Sequence, residues 1–393
     1  MKNLLVLGGS LLAFGVFAAD DVRVNIPVDS LGFPLPVPIS IAGFSGEADS
    51  VLRFDLSFMG FEFVAPDKAR YNIQKNSAAG VGASVIDPLQ PASARMIYNK
   101  SFTGGGTRQQ THALADDLAK TLTGKPGIAQ TRIACKVQLT GIGAGEIVIA
   151  DYDGFNATPV TKDNVICAAP SWSGRNILFY MSHKIAGKPD ILSHNLGTGA
   201  RKRVTTVTGD NFTPAVSPDG RRVAMILSKS GSPNLYVSDP DGGNLKQLTT
   251  THDGESCPAW SPDSRTICVV SRQSGKPALY TIPAGGGALT RLSVNAPSPT
   301  EADWSPDGKY LVFTSQSGAG FQICVTPMEG PLRGTATVLV AGEDPVWAPN
   351  SRAVMFVRTV NYRRVLTLLD VPSKQTKEIA RITGSASQPS WAR

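Results

Sequence analysis

The chain has 393 residues, 41% hydrophobic and 18% charged, with a formal net charge of +7. That length accommodates two or more domains, and the balance is that of an ordinary soluble protein. Thirty-nine glycines and 28 prolines suit a turn-rich β architecture.

The N-terminus reads Met1-Lys2-Asn3, followed by an apolar run from Leu4 to Phe17. That run is too short for a bilayer span, and Val16-Phe17-Ala18 places small residues for cleavage after about Ala18. The pattern predicts a signal peptide over 1–18 and a soluble, exported chain. No cysteine follows the cleavage region, which argues against a lipoprotein, and no later segment reads as a membrane span. In an exported protein the positive charge does not argue for nucleic acid. It suits an anionic envelope surface or an acidic partner, or is simply a scattered solvated surface.

Residues 19–127 carry no repeat. Pro36 to Ala42 alternates as a strand. Glu47 to Met59 places Val51, Leu52, Leu56 and Met59 on one helical face, with Gly60 as the stop. Phe61 to Ala65 reads as a second strand. In Gln109 to Leu122, Leu114, Leu118 and Leu122 recur at helical spacing before Thr123-Gly124. Residues 76–107 are rich in Gly, Ser and Ala and poorly specified. The order predicts a small α/β domain.

From about 128 onward the pattern is β and periodic. A proline–aromatic–turn motif centres on Trp172, Val216, Trp260, Trp304, Trp347 and Trp391, at steps of 44, 44, 44, 43 and 44 residues. Its fullest forms are Trp260-Ser261-Pro262-Asp263 and Trp304-Ser305-Pro306-Asp307-Gly308. Such a period with strand-like content marks a β-propeller, one four-stranded blade per repeat. Pro fixes φ at the first corner of the turn, Asp bonds its own backbone and Gly accepts positive φ. Before the first motif lie the second, third and outer strands of a blade that lacks its inner strand: Arg132 to Val137, Glu146 to Asp151 and Asn156 to Thr161. The last motif, Pro389-Ser390-Trp391, has no second strand after it. Pairing these ends closes six blades and leaves no long free edge between first and last.

Five cysteines, at 135, 167, 257, 268 and 324, show no metal-ligand spacing. Export permits disulfides. Cys135–Cys167 is the pair to check, against the simpler reading of small core hydrophobes. No nucleophile elbow, zinc-protease or phosphate-loop motif is present in the sequence. Neither a cofactor nor a catalytic residue is expected. His112, one helical turn from Asp116, reads as a surface or interface residue.

The connections between blades carry Asp210, Asp253 with Glu255, Glu301 with Asp303, and Glu343 with Asp344. Loops between second and third strands lie further out on the same face, with Lys184, Lys188, Lys229, Arg272, Lys276, Arg358, Arg363 and Arg364. An acidic mouth inside a basic rim is expected to bind a protein or a cation.

Three segments make the chain resemble the TolB family of periplasmic propeller proteins: Thr131-Arg132-Ile133-Ala134, Ala150-Asp151-Tyr152-Asp153-Gly154-Phe155-Asn156, and Ser228 to Val237. Thr111 to Asp116 and Leu122 to Lys125 add to the likeness, which is strong over 108–393 and weak over 20–107. The resemblance implies a small α/β domain (19–127) before an all-β six-bladed propeller (128–393). It implies a monomeric, non-enzymatic protein of the Tol–Pal system, peripheral to membranes. Its propeller mouth would contact a Pal-like outer-membrane lipoprotein through Asp210, Asn211, Thr213, Glu255, Ser256, Cys257, Glu301, Asp303, Glu343 and Asp344. Its mature N-terminal segment, with Val22, Val24 and Ile26, would contact a TolA-like inner-membrane protein. The first motif lacks the Pro-Asp of its turn, the second has Val216 for the aromatic, and the strand hairpin expected before the last N-terminal helix is hard to place within 76–107. The rival reading is a propeller enzyme, either of metal-dependent lactonase type or associated with a peptidase.

Overall fold

The structure is a computed structural model that describes residues 27–76, 79–138, 144–185 and 187–392. The expected signal peptide and the segment with Val22, Val24 and Ile26 lie outside the described residues. No helix among the described residues is long and apolar enough to cross a membrane.

The N-terminal region is a five-stranded sheet of β1 (Val37–Ala42), β2 (Phe61–Phe63), β3 (Tyr71–Lys75), β4 (Val81–Ile86) and β5 (Met96–Phe102), in the order β2-β1-β3-β4-β5. Two helices, α1 (Gly46–Ser57) and α2 (Thr107–Thr123), pack with it. Val51, Leu52 and Leu56 of α1 are buried, as are Leu114 and Leu118 of α2. Gly124 ends α2 in the left-handed conformation, φ 72°, where a side chain would be strained. The poorly specified stretch holds the β4–β5 hairpin. Its inward residues, Val81, Ala83 and Val85, alternate correctly, but the small Ala83 among them, with Gly82 and Ser84 between, dilutes the hydrophobic signal.

The rest forms six four-stranded antiparallel sheets. Blades 1 to 5 begin with the inner strands Cys167–Ser173, Asn211–Val216, Glu255–Trp260, Pro299–Trp304 and Glu343–Trp347. Blade 6 joins the two ends of the repeat: Ser385–Trp391 pairs with Arg132–Gln138, beside Gly145–Asp151 and Thr158–Pro159. Motif aromatics stitch neighbouring blades. Trp260 Nε1 donates to Ala215 O at 2.8 Å and Trp172 Nε1 to Ser390 O at 3.2 Å. The turns cooperate: Ser217, Ser261 and Ser305 donate to Asp219, Asp263 and Asp307.

All five cysteines are free. Cys135 sits on the second strand of blade 6 and Cys167 on the first strand of blade 1, so the two do not share a blade. Each serves as a small core residue, fully buried.

The N-terminal domain sits on the end of the propeller that bears the motif turns. Asn350 Nδ2 donates to Phe58 O at 3.0 Å and Arg352 to Pro34 O at 2.7 Å. Phe33 stacks on Tyr310 at 4.2 Å, and the Tyr310 hydroxyl donates to Leu31 O at 2.7 Å. A second joint is polar and buried. His112 Nδ1 lies 2.7 Å from Asp55 Oδ2, and Nε2 lies 3.5 Å from Asp153 of blade 6. Tyr152 also donates to Asp55, and Arg108 pairs with Asp153. His112 therefore does not pair with Asp116, which instead accepts the Ala129 and Gln130 amides.

Candidate functional site

Six residues along the inner strands share an unusual backbone. Ala169, Thr213, Cys257, Glu301, Asp344 and Gln388 have φ of 51°, 42°, 52°, 51°, 54° and 51°. None is glycine, so each costs roughly 1–3 kcal/mol of local strain. In each blade the pairing of first and second strands slips at this point, for example between Phe212 and Ala215 and between Thr300 and Asp303. The slip is a β-bulge, which bends the strand and re-aims a side chain. Proline follows the bulge residue in all but blade 4, where Ala302 does. A residue without an N–H is tolerated there because the bulge leaves a ladder position unpaired.

The bulge residues surround the central channel, a cavity of about 300 Å³ lined by the inner strands. Side chains of four of them meet the backbone of the next blade. Asp344 N donates to Glu301 Oε2 at 3.1 Å, Gln388 N to Asp344 Oδ2 at 2.9 Å, and Ala169 N to Gln388 Oε1 at 3.0 Å. The Glu301 amide faces the Cys257 sulfur. Glu301 and Asp344 thus bring two carboxylates onto one arc. Burial and the Glu301 charge push Asp344 up to about 7. Burial, with Glu301 nearby, pushes the Cys257 thiol up to about 12 and keeps it protonated. Among the described residues no cluster of three or more His, Cys, Asp or Glu could hold a metal.

The other sequence-selected residues divide by environment. Asp210 is half-buried at the connection into blade 2, tied to the second–third loop of that blade by Asp210 N to Ser228 Oγ at 2.7 Å. That bond places inter-blade connections and second–third loops at one end of the ring. Ser256 is exposed there and Thr213 half-buried. Asn211 and Glu255 are buried and turn inward. Asn211 donates to Asp190, and Glu255 accepts from Thr249, Thr251 and Ser271. Their polar groups join neighbouring blades instead of facing outward: Asn211 ties blade 2 to blade 1, and Glu255 ties blade 3 to the end of blade 2. Asp303 accepts the Trp347 amide at 2.8 Å, and Glu343 pairs with Arg364 at 2.7 Å. The acidic mouth is thus narrower than the sequence suggests. Much of its carboxylate is engaged inside the ring, and the Glu301–Asp344 arc dominates the channel.

Four of the six ring residues, Thr213, Cys257, Glu301 and Asp344, are among the expected mouth residues, whereas Ala169, Gln388 and the ring as a whole are marked in sequence only by their place three residues before each motif centre. A polar or small residue before proline at a 44-residue step says little until the shared axis is seen.

The residues 119–393 match the family described as TolB beta propeller domain. The chain belongs to the TolB β-propeller family. It is similar to "Tol-Pal system protein TolB" of Alcanivorax borkumensis, 29% identical over 203 residues, which cover 50% of this chain and 45% of the relative. It is also similar to "Protein TolB homolog" of Chlamydia abortus, 30% identical over 262 residues, 60% of each chain. The chain thus spans about half the length of the curated relatives it matches. The crystal structure of TolB from Acinetobacter baumannii superposes with a TM-score of 0.78 at 22% identity, covering 94% of this chain and 98% of that one. That likeness carries the two-part fold of the TolB family across nearly the whole chain.

Proposed function

We propose that this chain is a periplasmic interaction protein of the Tol–Pal system, exported after loss of residues 1–18, with its two roles divided near residue 127. The propeller mouth takes a Pal-like, peptidoglycan-associated outer-membrane lipoprotein. The N-terminal region, with Val22, Val24 and Ile26, takes a TolA-like inner-membrane protein. The link supports outer-membrane integrity and constriction during division, with no catalytic step and no cofactor.

The observation that supports this reading is the contrast between the two ends of the ring. The turn end of blades 4 to 6 is occupied by the N-terminal domain. Among the described residues, no domain of this chain covers the mouth end. There Asp210 and Ser256 stand beside the channel opening, and half-engaged charges orient a partner more than they hold it.

The test is a binding titration of the mature chain with the soluble part of a Pal-like lipoprotein. Asp210→Lys and Ser256→Arg are expected to weaken binding at least tenfold. Lys309→Ala, exposed at the turn end, should leave it unchanged. Equal effects from both ends, or no binding at all, would remove the assignment of the mouth.

A further inference from the structure

A second cleft, of about 670 Å³, opens between α1 and the outer part of blades 5 and 6. That size falls within the range of ligand sites. It lies on the turn side of the ring, away from the mouth, and nothing in the proposed function uses it.

Three independent features converge on it. The first is charge. Phe155, in the outer turn of blade 6, lies between two guanidiniums: Arg108 at 3.2 Å and Arg381 at 3.6 Å from the ring centroid. Arg108 is neutralised by Asp153 and approached by Glu47. Arg381 is exposed, and beyond Phe155 it has no hydrogen-bond or ion-pair partner among the described residues. Lys377 on the same wall is likewise exposed and unpaired. Four cations line the cleft; Arg108 is paired with Asp153 and Arg53 with Asp49, which leaves Arg381 and Lys377 against the single carboxylate of Glu378. A guanidinium held flat on an aromatic face is pre-oriented to present its N–H fork to an anion.

The second feature is a free sheet edge. Thr376–Glu378 is the outermost strand of blade 5 and has no strand beyond it. Ile379 N donates inward to Leu366 O. By the alternation of an antiparallel ladder, the Glu378 N–H therefore points away from the blade. The third feature is an apolar floor. Phe54 and Phe63 are half-buried where they line the cleft, and Arg53 sits over Phe63 at 5.4 Å.

We propose that this cleft is a second protein-binding site that takes an extended acidic segment of a partner. The segment adds as a strand to Thr376–Glu378, sets carboxylates on Arg381 and Lys377, and lays alternate apolar side chains against Phe54 and Phe63. Strand addition supplies main-chain bonds, and pockets for alternate side chains supply selectivity. The excess of cations selects an acidic segment.

The test uses the mature full-length chain and a fluorescein-labelled hexapeptide, Asp-Val-Asp-Phe-Asp-Val, with its Lys-for-Asp counterpart. The acidic peptide should bind and the lysine peptide should not. The double variant Arg381→Glu/Lys377→Glu should weaken binding at least tenfold, with an unchanged melting temperature. Glu378→Pro, which removes the outward N–H and not a ladder bond, should weaken it to a similar extent. Lys229→Glu, on the mouth face, should have no effect. Equal binding of both peptides, or equal loss in Lys229→Glu, would reduce the site to general electrostatics and overturn it. A rise in affinity on Asp20→Lys/Asp21→Lys would assign the cleft to the chain's own first residues and overturn the partner reading.

Discussion

The molecule has two joints, and they are built from different materials. The joint that closes the ring is backbone: Ser385–Trp391 and Arg132–Gln138 share a ladder, with Trp391 wedged beneath. The joint between the domains is side chain: Asp55, His112, Tyr152, Asp153 and Arg108 form a buried polar cluster at blade 6, and Phe33 stacks on Tyr310 at blade 4. A ladder joint draws on area and hydrogen bonds that any strand can make. A buried charge cluster stands only while every member is present in the right protonation state. The ring seam should therefore tolerate changes of pH, whereas the domain joint should not.

The seam carries the largest expected effect. Deleting Ser387–Arg393 removes the inner strand of blade 6 and the buried Trp391. The expected loss is about 3–5 kcal/mol for the aromatic alone, a large part of a domain's total stability. It would be read as a collapse of the thermal transition. A truncated chain that melts like the intact one would refute closure at this blade.

Next comes the domain joint. His112→Ala leaves Asp55 and Asp153 buried with less compensation, and removing one member of a buried pair costs about 3–5 kcal/mol. Here the loss is local, so it should appear as faster proteolysis between the domains more than as global unfolding. The two carboxylates hold His112 up to about 9, against the burial that opposes its charge. A raised histidine contributes stability that is complete below its ordinary value near 6.5. That contribution falls as the pH climbs through about 9. Other ionisable groups face the same space: Asp55 and Asp116, both raised mainly by burial, Tyr152, raised by burial, and Arg108. Wild type should lose interdomain protection between pH 7 and 9, and His112→Ala should be flat over that window. A sloping profile in the variant would shift the cause to those neighbours.

The smallest expected effect sharpens the contrast inside the ring. Asp344, raised to about 7, is a penalty that is absent below pH 4 and complete above about 7, because the folded state resists its ionisation. Asp344→Asn keeps an acceptor for the Gln388 amide and removes the charge. It should raise the melting temperature by a few degrees at pH 8, less at pH 5, and not at all below pH 4. A pH-independent gain would mean that packing, not charge, was relieved.

Much of the propeller could be read directly from the chain. The 44-residue step and the orphaned strands at the two ends predict six blades and their closure, because local turn chemistry and strand alternation repeat in register. The two N-terminal helices were likewise legible from Leu and Val at helical spacing. The β4–β5 hairpin was not, since small residues carry its buried face. Nor were the true surroundings of Asn211 and Glu255, which look like mouth residues in sequence yet turn inward to meet Asp190 and Thr249 of the preceding blades.

By itself, then, the amino-acid sequence determined the repeat, the blade count and the seam, because these depend on periodic backbone preferences that each repeat states again. Long-range packing alone sets where His112 finds its carboxylates, which six residues ring the channel, and that Phe155 lies between two arginines. Those arrangements join residues as far apart as Asp55 and Tyr152, Arg108 and Asp153, or Ala169 and Gln388. No local pattern specifies such contacts, because their energies exist only once the chain has closed on itself and excluded water.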